Sequence, residues 1–493
     1  MSRAVRLSAV AQALNAKLSG DSDLRISDVT HDSRRAGPGS LFVAVRGARF
    51  DAHQFIPQVL AQGAAGVISE QSAPPDGACA WLQVADSRRA QAIAANLVQG
   101  EPSRQLKLVG LTGTNGKTST VYLINAMAEA NGWPTAMMTT VEYRVGTERG
   151  PAEYTTPEAS DTQRFLRRAV EAGCRVAVME ASSQALDLNR CDALHYSVAV
   201  FTNLTQDHLD YHGTMELYGA AKKRLFDGSL GSAPDVSVIN IDDAYGTALA
   251  RELRATGQRV VTYALDEATA DITAINVQET LAGMKFTLRT YAGECAAQTL
   301  LVGRPHLYNL LAATGSALAL GGELATITRA MATCGGAPGR FETVPHAGDF
   351  TVIVDYAHTD DALANVLRTA RAVTQGRVIT VFGCGGDRDR MKRAPMGRIA
   401  GELSDIVILT SDNPRTEDPE QILRDVEAGL RETGRAYEKY TDRRTAIRQA
   451  IAHAQTADLV VIAGKGHEDY QIIGREKIHF DDREVAREFL SPS

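Results

Sequence analysis

One stretch constrains this chain more than any other: residues 106–125, LKLVGLTGTNGKTSTVYLIN. The apolar run Leu106, Leu108 and Val109 predicts a buried strand, and Val121, Ile124 and Met127 follow at helical spacing. Between them lies Gly113-Thr114-Asn115-Gly116-Lys117-Thr118-Ser119. A strand, a glycine turn and a helix opening on Lys-Thr make a phosphate cradle. Glycines let backbone N–H groups approach the oxygens, and the helix N-terminus adds partial positive charge. Lys117 neutralises, and the Thr118 hydroxyl can hold Mg2+. The spacing is not that of the common phosphate loop, which carries a glycine five residues before the Gly of Gly-Lys-Thr; Leu111 stands there. We read the stretch as an ATP site.

A chain of 493 residues is too long for one core, so about three domains are expected. The divisions fall at 1–104, 105–338 and 339–493, with Glu101-Pro102-Ser103 as a linker before the ATP strand. All three read as α/β: an N-terminal α/β unit, a central P-loop-type unit on a mostly parallel sheet, and a Rossmann-like C-terminal unit. The 52 basic and 59 acidic residues give a net charge of −7, which offers no support for general nucleic-acid binding. Cysteines 79, 174, 191, 295, 334 and 384 include no C-x-x-C pair, which favours a reducing compartment. The first twenty residues alternate at helical spacing without the apolar core of a signal peptide, and no stretch is long enough for a membrane span. A cytoplasmic, monomeric protein is expected.

Further chemistry sits where strands end. The apolar run 176–179 stops at Glu180, and 197–202 leads into NLTQDHLDYH, which contains His208. Ligands of open α/β sheets bind beyond the carboxyl ends of strands, so Glu180 and His208 are candidates for a metal role. Lys222 lies in the helical pattern of 215–226 beside Lys223 and Arg224, and alone reads as part of a solvated basic face. Another helix is predicted over 309–320. In the last unit four apolar runs each meet an unusual loop: 352–354 into Asp355-Tyr356-Ala357-His358, and 378–382 into GCGGDRD. The other two are 406–409 into SDNPRTED and 459–463 into GKGHED. Strand–loop–helix repetition predicts a parallel sheet, and four loaded loops at one edge suggest a binding site.

Together these residues resemble the Mur ligase family, ATP-dependent amide-forming enzymes of peptidoglycan assembly. The carriers are GTNGKTS at 113–119, Glu180, residues 203–208, Gly339-Arg340-Phe341-Glu342 and Asp355-Tyr356-Ala357-His358-Thr359. Within the family, Asp412-Asn413-Pro414-Arg415 is similar to the motif of members that join meso-2,6-diaminopimelate to UDP-N-acetylmuramoyl-L-alanyl-D-glutamate. The resemblance covers all three units and implies the rest of the site. Asn309, Arg340, Asp355 and His358 would join the loop in binding ATP. Lys117, Lys222 and His208 would be catalytic, with Mg2+ near Thr118, Glu180 and His208. Lys222 would carry carbon dioxide as a carbamate, N6-carboxylysine, able to hold a second Mg2+. Ser33, Thr155, Thr156, Ser182 and Arg190 would meet the UDP-sugar peptide.

For the amino acid, Arg388, Asp412, Asn413, Pro414, Arg415, Gly464 and Glu468 are implied. The motif has a physical reading, because diaminopimelate differs from lysine by a carboxylate beside its distal ammonium. Arg415 and Arg388 can fork onto that carboxylate, while Asp412 and Glu468 accept from the ammonium. Four places depart from the family pattern: Asp360 after Tyr-Ala-His-Thr, Leu188, Arg304-Pro305-His306 before Asn309, and Tyr154. Two rivals stand beside this reading. One is a lysine-adding or folylpolyglutamate-type ligase, which would have no use for residues 412–415. The other is a nucleotide-binding regulatory protein that has lost catalysis.

Overall fold

The computed structural model describes residues 4–47, 51–74 and 79–491. Each of three consecutive stretches builds a sheet of its own. The first has the order Lys17–Ser19, Ala80–Gln83, Gly66–Ser69, Ser40–Val43, Asp28–Thr30, parallel except at the Lys17–Ser19 edge. Helix Ser87–Val98 packs on it, started by Asp86, whose side chain accepts the Arg89 N–H. The predicted linker is a packed 3-10 turn, Pro102–Arg104, in which the Ser103 hydroxyl accepts the His195 N–H.

The second sheet has eleven strands, and Lys107–Thr112 lies near its middle between Val176–Glu180 and Val198–Phe201. From Thr135–Met138 across to Ile272–Thr280 the strands are parallel, and antiparallel hairpins finish both edges. The central strands are buried on both faces, which is why they read as unbroken apolar runs. Helices Lys117–Ala130 and Arg304–Ala319 cover one face through Val121, Ile124, Leu307, Leu310 and Leu311. The second of these starts before the predicted 309. Pro305 sits in its first turn, where a missing N–H is harmless, so Arg304-Pro305-His306 is helix rather than approach to one. The helix predicted over 215–226 is Met215–Lys223.

The third sheet has the order Glu342–Thr343, Thr351–Asp355, Leu459–Ala463, Val378–Phe382, Ile406–Thr410, Tyr437–Tyr440. All but the first strand run parallel, so the four loaded loops do share one edge. Between the first and second stretches, Arg164 pairs with Asp28 at 2.9 Å and Arg35 with Asp161 at 3.0 Å. Between the second and third, Asn115 Nδ2 donates to Asp361 Oδ2 at 2.8 Å. Among the described residues no helix is long and apolar enough to cross a membrane.

Candidate active site

The loop after Lys107–Thr112 is held from outside. Gly113 has φ +146°, and a Cβ there would lie 1.8 Å from Thr202 Oγ1; Gly116 has φ +88°, and its Cβ would meet Asn309 Oδ1 at 2.5 Å. Only glycine fits either position. Thr114 and Asn115 donate their N–H groups to Asn203, to its carbonyl and to Oδ1, both at 2.9 Å. Lys117 curls back, its Nζ donating to the carbonyls of Gly113 and Thr114 at 2.9 Å.

Thr118 Oγ1 donates to Glu180 Oε1 at 2.9 Å, and the Thr140 N–H donates to the same oxygen at 3.0 Å. Glu180, the last residue of its strand, is buried and has no ion pair among the described residues. Lys222 is not solvated. It is buried, its Nζ donating to the Gly113 carbonyl at 2.9 Å and lying 4.1 Å from the Tyr218 ring centroid. Burial, then the charge of Lys117, hold its amine well below the usual lysine range, which favours the neutral form. His208, at the N-cap of the turn Leu209–His212 with φ +52°, is part-exposed. Its ring packs edge-on to Tyr218 at 6.1 Å, and burial lowers its pKa. No direct bond joins His208 to Glu180 or Lys222.

A cavity of 340 Å³ opens between the phosphate loop and the third sheet, lined in part by Asn115, Ser119, Asn309, Arg340 and Asp355. Asp355 is buried, accepting the N–H groups of Phe341 and Ala357 at 2.7 Å. Those bonds fix the turn carrying Arg340, whose guanidinium lies 4.4 Å from the Tyr356 ring centroid and 3.4 Å from Thr118 Oγ1. His358 lies in the same loop as Asp355, its Nδ1 2.9 Å from the Tyr356 carbonyl.

Thr155, Thr156, Ser182 and Arg190 gather on the other side of Glu180. Thr156 Oγ1 donates to the Glu180 carbonyl at 2.8 Å and accepts the Ser182 N–H at 3.1 Å. Thr155 meets Thr140 at 3.0 Å, and Arg190 donates to the Thr156 carbonyl at 3.2 Å while pairing with Glu158 at 2.7 Å. Ser33 lies in the first unit next to Asp32, whose carboxylate is taken by Arg34; its neighbours reach the second unit, His31 to Ser160 at 3.4 Å and Arg35 to Asp161 at 3.0 Å.

At the third sheet's loop edge, Asn413 Nδ2 donates to Glu468 Oε2 at 2.9 Å, and its Oδ1 accepts the Ile472 N–H at 2.9 Å. Gly464 has φ +117°, and a Cβ there would press on Asp412 Oδ2 at 2.7 Å. Pro414 presents Arg415, whose Nη1 donates to the Gly386 carbonyl at 2.7 Å. Burial, then the neighbouring Arg415, push the Arg388 guanidinium down. Among the described residues neither arginine forms an ion pair, although Asp387 lies in the field of both. Two close guanidiniums without a bonded carboxylate can receive an anion.

Three family models match the chain: the Mur ligase family, catalytic domain over 25–99, the Mur ligase middle domain over 111–317, and the Mur ligase, glutamate ligase domain over 339–466. This chain belongs to the Mur ligase family. A UDP-N-acetylmuramoyl-L-alanyl-D-glutamate--2,6-diaminopimelate ligase of Gloeobacter violaceus is 48% identical over 95% of this chain and 94% of its own. One of Solibacter usitatus is 45% identical over 94% and 93%. A solved structure of a ligase with the same description superposes with a TM-score of 0.72 at 33% identity, covering 99% of both chains.

Three residues of this Mur ligase escaped the sequence reading. Thr140 holds Glu180 from a strand end with no motif to mark it. Asp361 accepts from Asn115 and from Thr205 Oγ1, an interdomain contact invisible in one dimension. Lys465 is buried against Glu468, and its place between Gly464 and Gly466 was the available signal.

Proposed function

We propose that this Mur ligase adds meso-2,6-diaminopimelate to the D-glutamate of UDP-N-acetylmuramoyl-L-alanyl-D-glutamate, consuming ATP, in peptidoglycan precursor synthesis (EC 6.3.2.13). The observation that carries the choice of amino acid is the unpaired couple Arg388 and Arg415 beside Asp412 and Glu468. A distal carboxylate next to a distal ammonium satisfies both halves of that arrangement, and lysine satisfies only one. The domain limits we propose are 1–104, 105–338 and 339–493. A cytoplasmic setting follows from the ATP the reaction consumes.

In the first step a carboxylate oxygen of the D-glutamate attacks the γ-phosphorus of ATP. The bond to the ADP oxygen breaks, leaving an acyl phosphate. Two anions must meet, so cations are required. Lys117 and Arg340 supply fixed positive charge on either side of Thr118. Asn309 and Asp355 line the pocket for the rest of the nucleotide, and His358 stands in the loop that follows Asp355. In the second step the neutral amine of diaminopimelate attacks the acyl carbon, phosphate leaves with its bonding electrons, and the nitrogen gives up a proton to leave the neutral amide. The loops at 388, 412–415 and 464–468 hold that amine in line, which is a positioning task. Thr155, Thr156, Ser182, Arg190 and, from the first unit, Ser33 hold the nucleotide-sugar peptide.

The donor set fits magnesium. Glu180 is a buried carboxylate that forms no ion pair among the described residues, adjoining the Thr118 hydroxyl. Lys222 is a buried amine that likewise forms none, and its neutral form adds carbon dioxide, losing a proton to give a carbamate. Thr118, Glu180, His208 and carbamylated Lys222 would hold Mg2+. Bound there, magnesium spreads the charge developing on the transferred phosphoryl group.

The test is ADP release with UDP-N-acetylmuramoyl-L-alanyl-D-glutamate and either meso-diaminopimelate, L-lysine or no amine. Turnover with meso-diaminopimelate alone is expected. Equal turnover with lysine would sink the assignment of the amino acid. Nucleotide binding without turnover under any condition would favour the regulatory rival.

A further inference from the structure

Lys465 is 0% exposed, though it lies in a loop at the sheet edge. Its Nζ stands 3.3 Å from Glu468 Oε2, 4.0 Å from Asp412 Oδ1 and 3.4 Å from Asn413 Oδ1. Lys465 and Asn413 both donate to Oε2 of Glu468, and neither uses Oε1. Behind the loop, Arg443 Nη2 donates to the Ala463 carbonyl at 3.0 Å, and its charge is matched by Asp482 at 2.7 Å. With Arg443 and Asp482 neutral as a pair, Asp412, Glu468 and Lys465 leave the cluster one negative charge. One ammonium group is what it lacks.

We propose that Lys465 is a specificity-determining positioning residue, the built-in counter-ion that holds the Glu468 carboxylate charged beside Asp412 so that together they receive the distal ammonium of the amino-acid substrate. The proposal rests on reading these loops as the diaminopimelate site. Two carboxylates sharing a partly dry pocket raise one another, and without a cation one of them takes a proton. A protonated carboxyl no longer balances the incoming charge.

Glu468 is faced by Asp412 from the loop after Ile406–Thr410, by Arg443 from helix Arg443–His453, by Tyr356 from the loop after Thr351–Asp355, and by Tyr470. Burial, then Asp412, push its carboxyl up, and Lys465 opposes them. Since Lys465 is sealed from solvent while Glu468 is not, the lysine acts from behind and leaves the front free for substrate.

The experiment compares wild type, Lys465→Met, Lys465→Arg, Glu468→Gln and the Lys465→Met/Glu468→Gln double variant across pH 6 to 9. In Lys465→Met the KM for meso-diaminopimelate should rise about tenfold or more, with kcat changing much less, and the acid limb of kcat/KM should move up by about one pH unit. Lys465→Arg should restore the limb. Adding Glu468→Gln to Lys465→Met should cost little, because that carboxyl is already protonated. An unchanged KM and acid limb in Lys465→Met would overturn the proposal, as would full additivity in the double variant. Should Lys465→Met fail to fold, the Glu468 carboxyl of wild type can be followed by 13C NMR, assigned against Glu468→Gln. Ionisation at pH 7 is expected, and a protonated carboxyl there overturns the idea. A wild type inactive with meso-diaminopimelate would instead remove the parent reading.

Discussion

The sharpest consequence of the loop geometry concerns Arg415→Met. Arg415 has φ +52°, a backbone state strained for any residue with a Cβ. Methionine shares that cost and much of the stem, so the substitution isolates the guanidinium. In our reading that group and Arg388 together receive the distal carboxylate of diaminopimelate. Removing one partner of a desolvated, hydrogen-bonded charge pair costs about 2 to 5 kcal/mol, or roughly 30- to 5,000-fold in kcat/KM. Arg388 remains to hold part of the charge, so we expect a value near the middle, about a few hundredfold. L-Lysine has no distal carboxylate, and its kcat/KM, low in the wild type, should not fall. The assay is coupled ADP release at saturating ATP and UDP-dipeptide, with each amine titrated in turn. Arg415→Lys is the control for charge without the fork. Arg415 also holds the Gly386 carbonyl, so a variant that merely loosens the loop would lose both amines in parallel. That outcome, or a loss with meso-diaminopimelate below threefold, would refute the reasoning.

Three further expectations follow from the same geometry. Lys222→Ala should lower kcat by about a hundred- to a thousandfold, and 13C-bicarbonate should give a carbamate signal in wild type that is missing from the variant; an unlabelled but active wild type would discard the carbamate. Glu180→Gln should raise the Mg2+ concentration for half-maximal activity by about tenfold or more, read from ADP release against metal. His358 is pushed down to about 4, chiefly by burial and then by Lys392. Its neutral form belongs to the folded state, so its contribution to stability is intact above the unfolded pKa of about 6.5. It is lost as pH falls toward 4, by up to about 3 kcal/mol. Denaturant unfolding at pH 7 and pH 4.5 should show a smaller acid loss for His358→Gln than for wild type, and equal losses would remove His358 as the cause.

Much of the architecture was legible because strand and loop chemistry are local. Residues 106–125 announce their strand, turn and helix in order, and each of the four C-terminal runs ends where its loop residues begin. Two kinds of feature were not local. The helix expected over 309–320 starts at Arg304, because Pro305 in the first helical turn loses only an N–H that would have no partner there. Lys222 was misjudged from its neighbours alone. Lys223 and Arg224 are only half-buried, pairing with Glu252 and Asp192, but adjacent residues of a helix point to different sides. The contact of Asn115 with Asp361 joins positions far apart in sequence, and no spacing rule reaches that far.

The Gly113 carbonyl ties the two lysines of the site together. Lys117 and Lys222 each donate to it at 2.9 Å, so their Nζ atoms lie within about 6 Å, where two unit charges repel by about 3 kcal/mol at an effective dielectric of 20. One of the two gains by being neutral. Lys117 has a second carbonyl, that of Thr114, and the negative fields of Glu180 and Asp207. Lys222 is sealed, and among the described residues the negative field on it is that of Asp207. The proton therefore leaves Lys222 more readily, and the neutral amine is the form that takes up carbon dioxide. In our reading the repulsion then becomes attraction, a carbamate facing an ammonium across one backbone oxygen. The glycine that permits this is fixed by contact, since any Cβ at Gly113 would collide with Thr202. In our reading the unusual loop spacing and the buried lysine thus answer one requirement, that phosphate charge and metal charge be matched at a single turn of backbone.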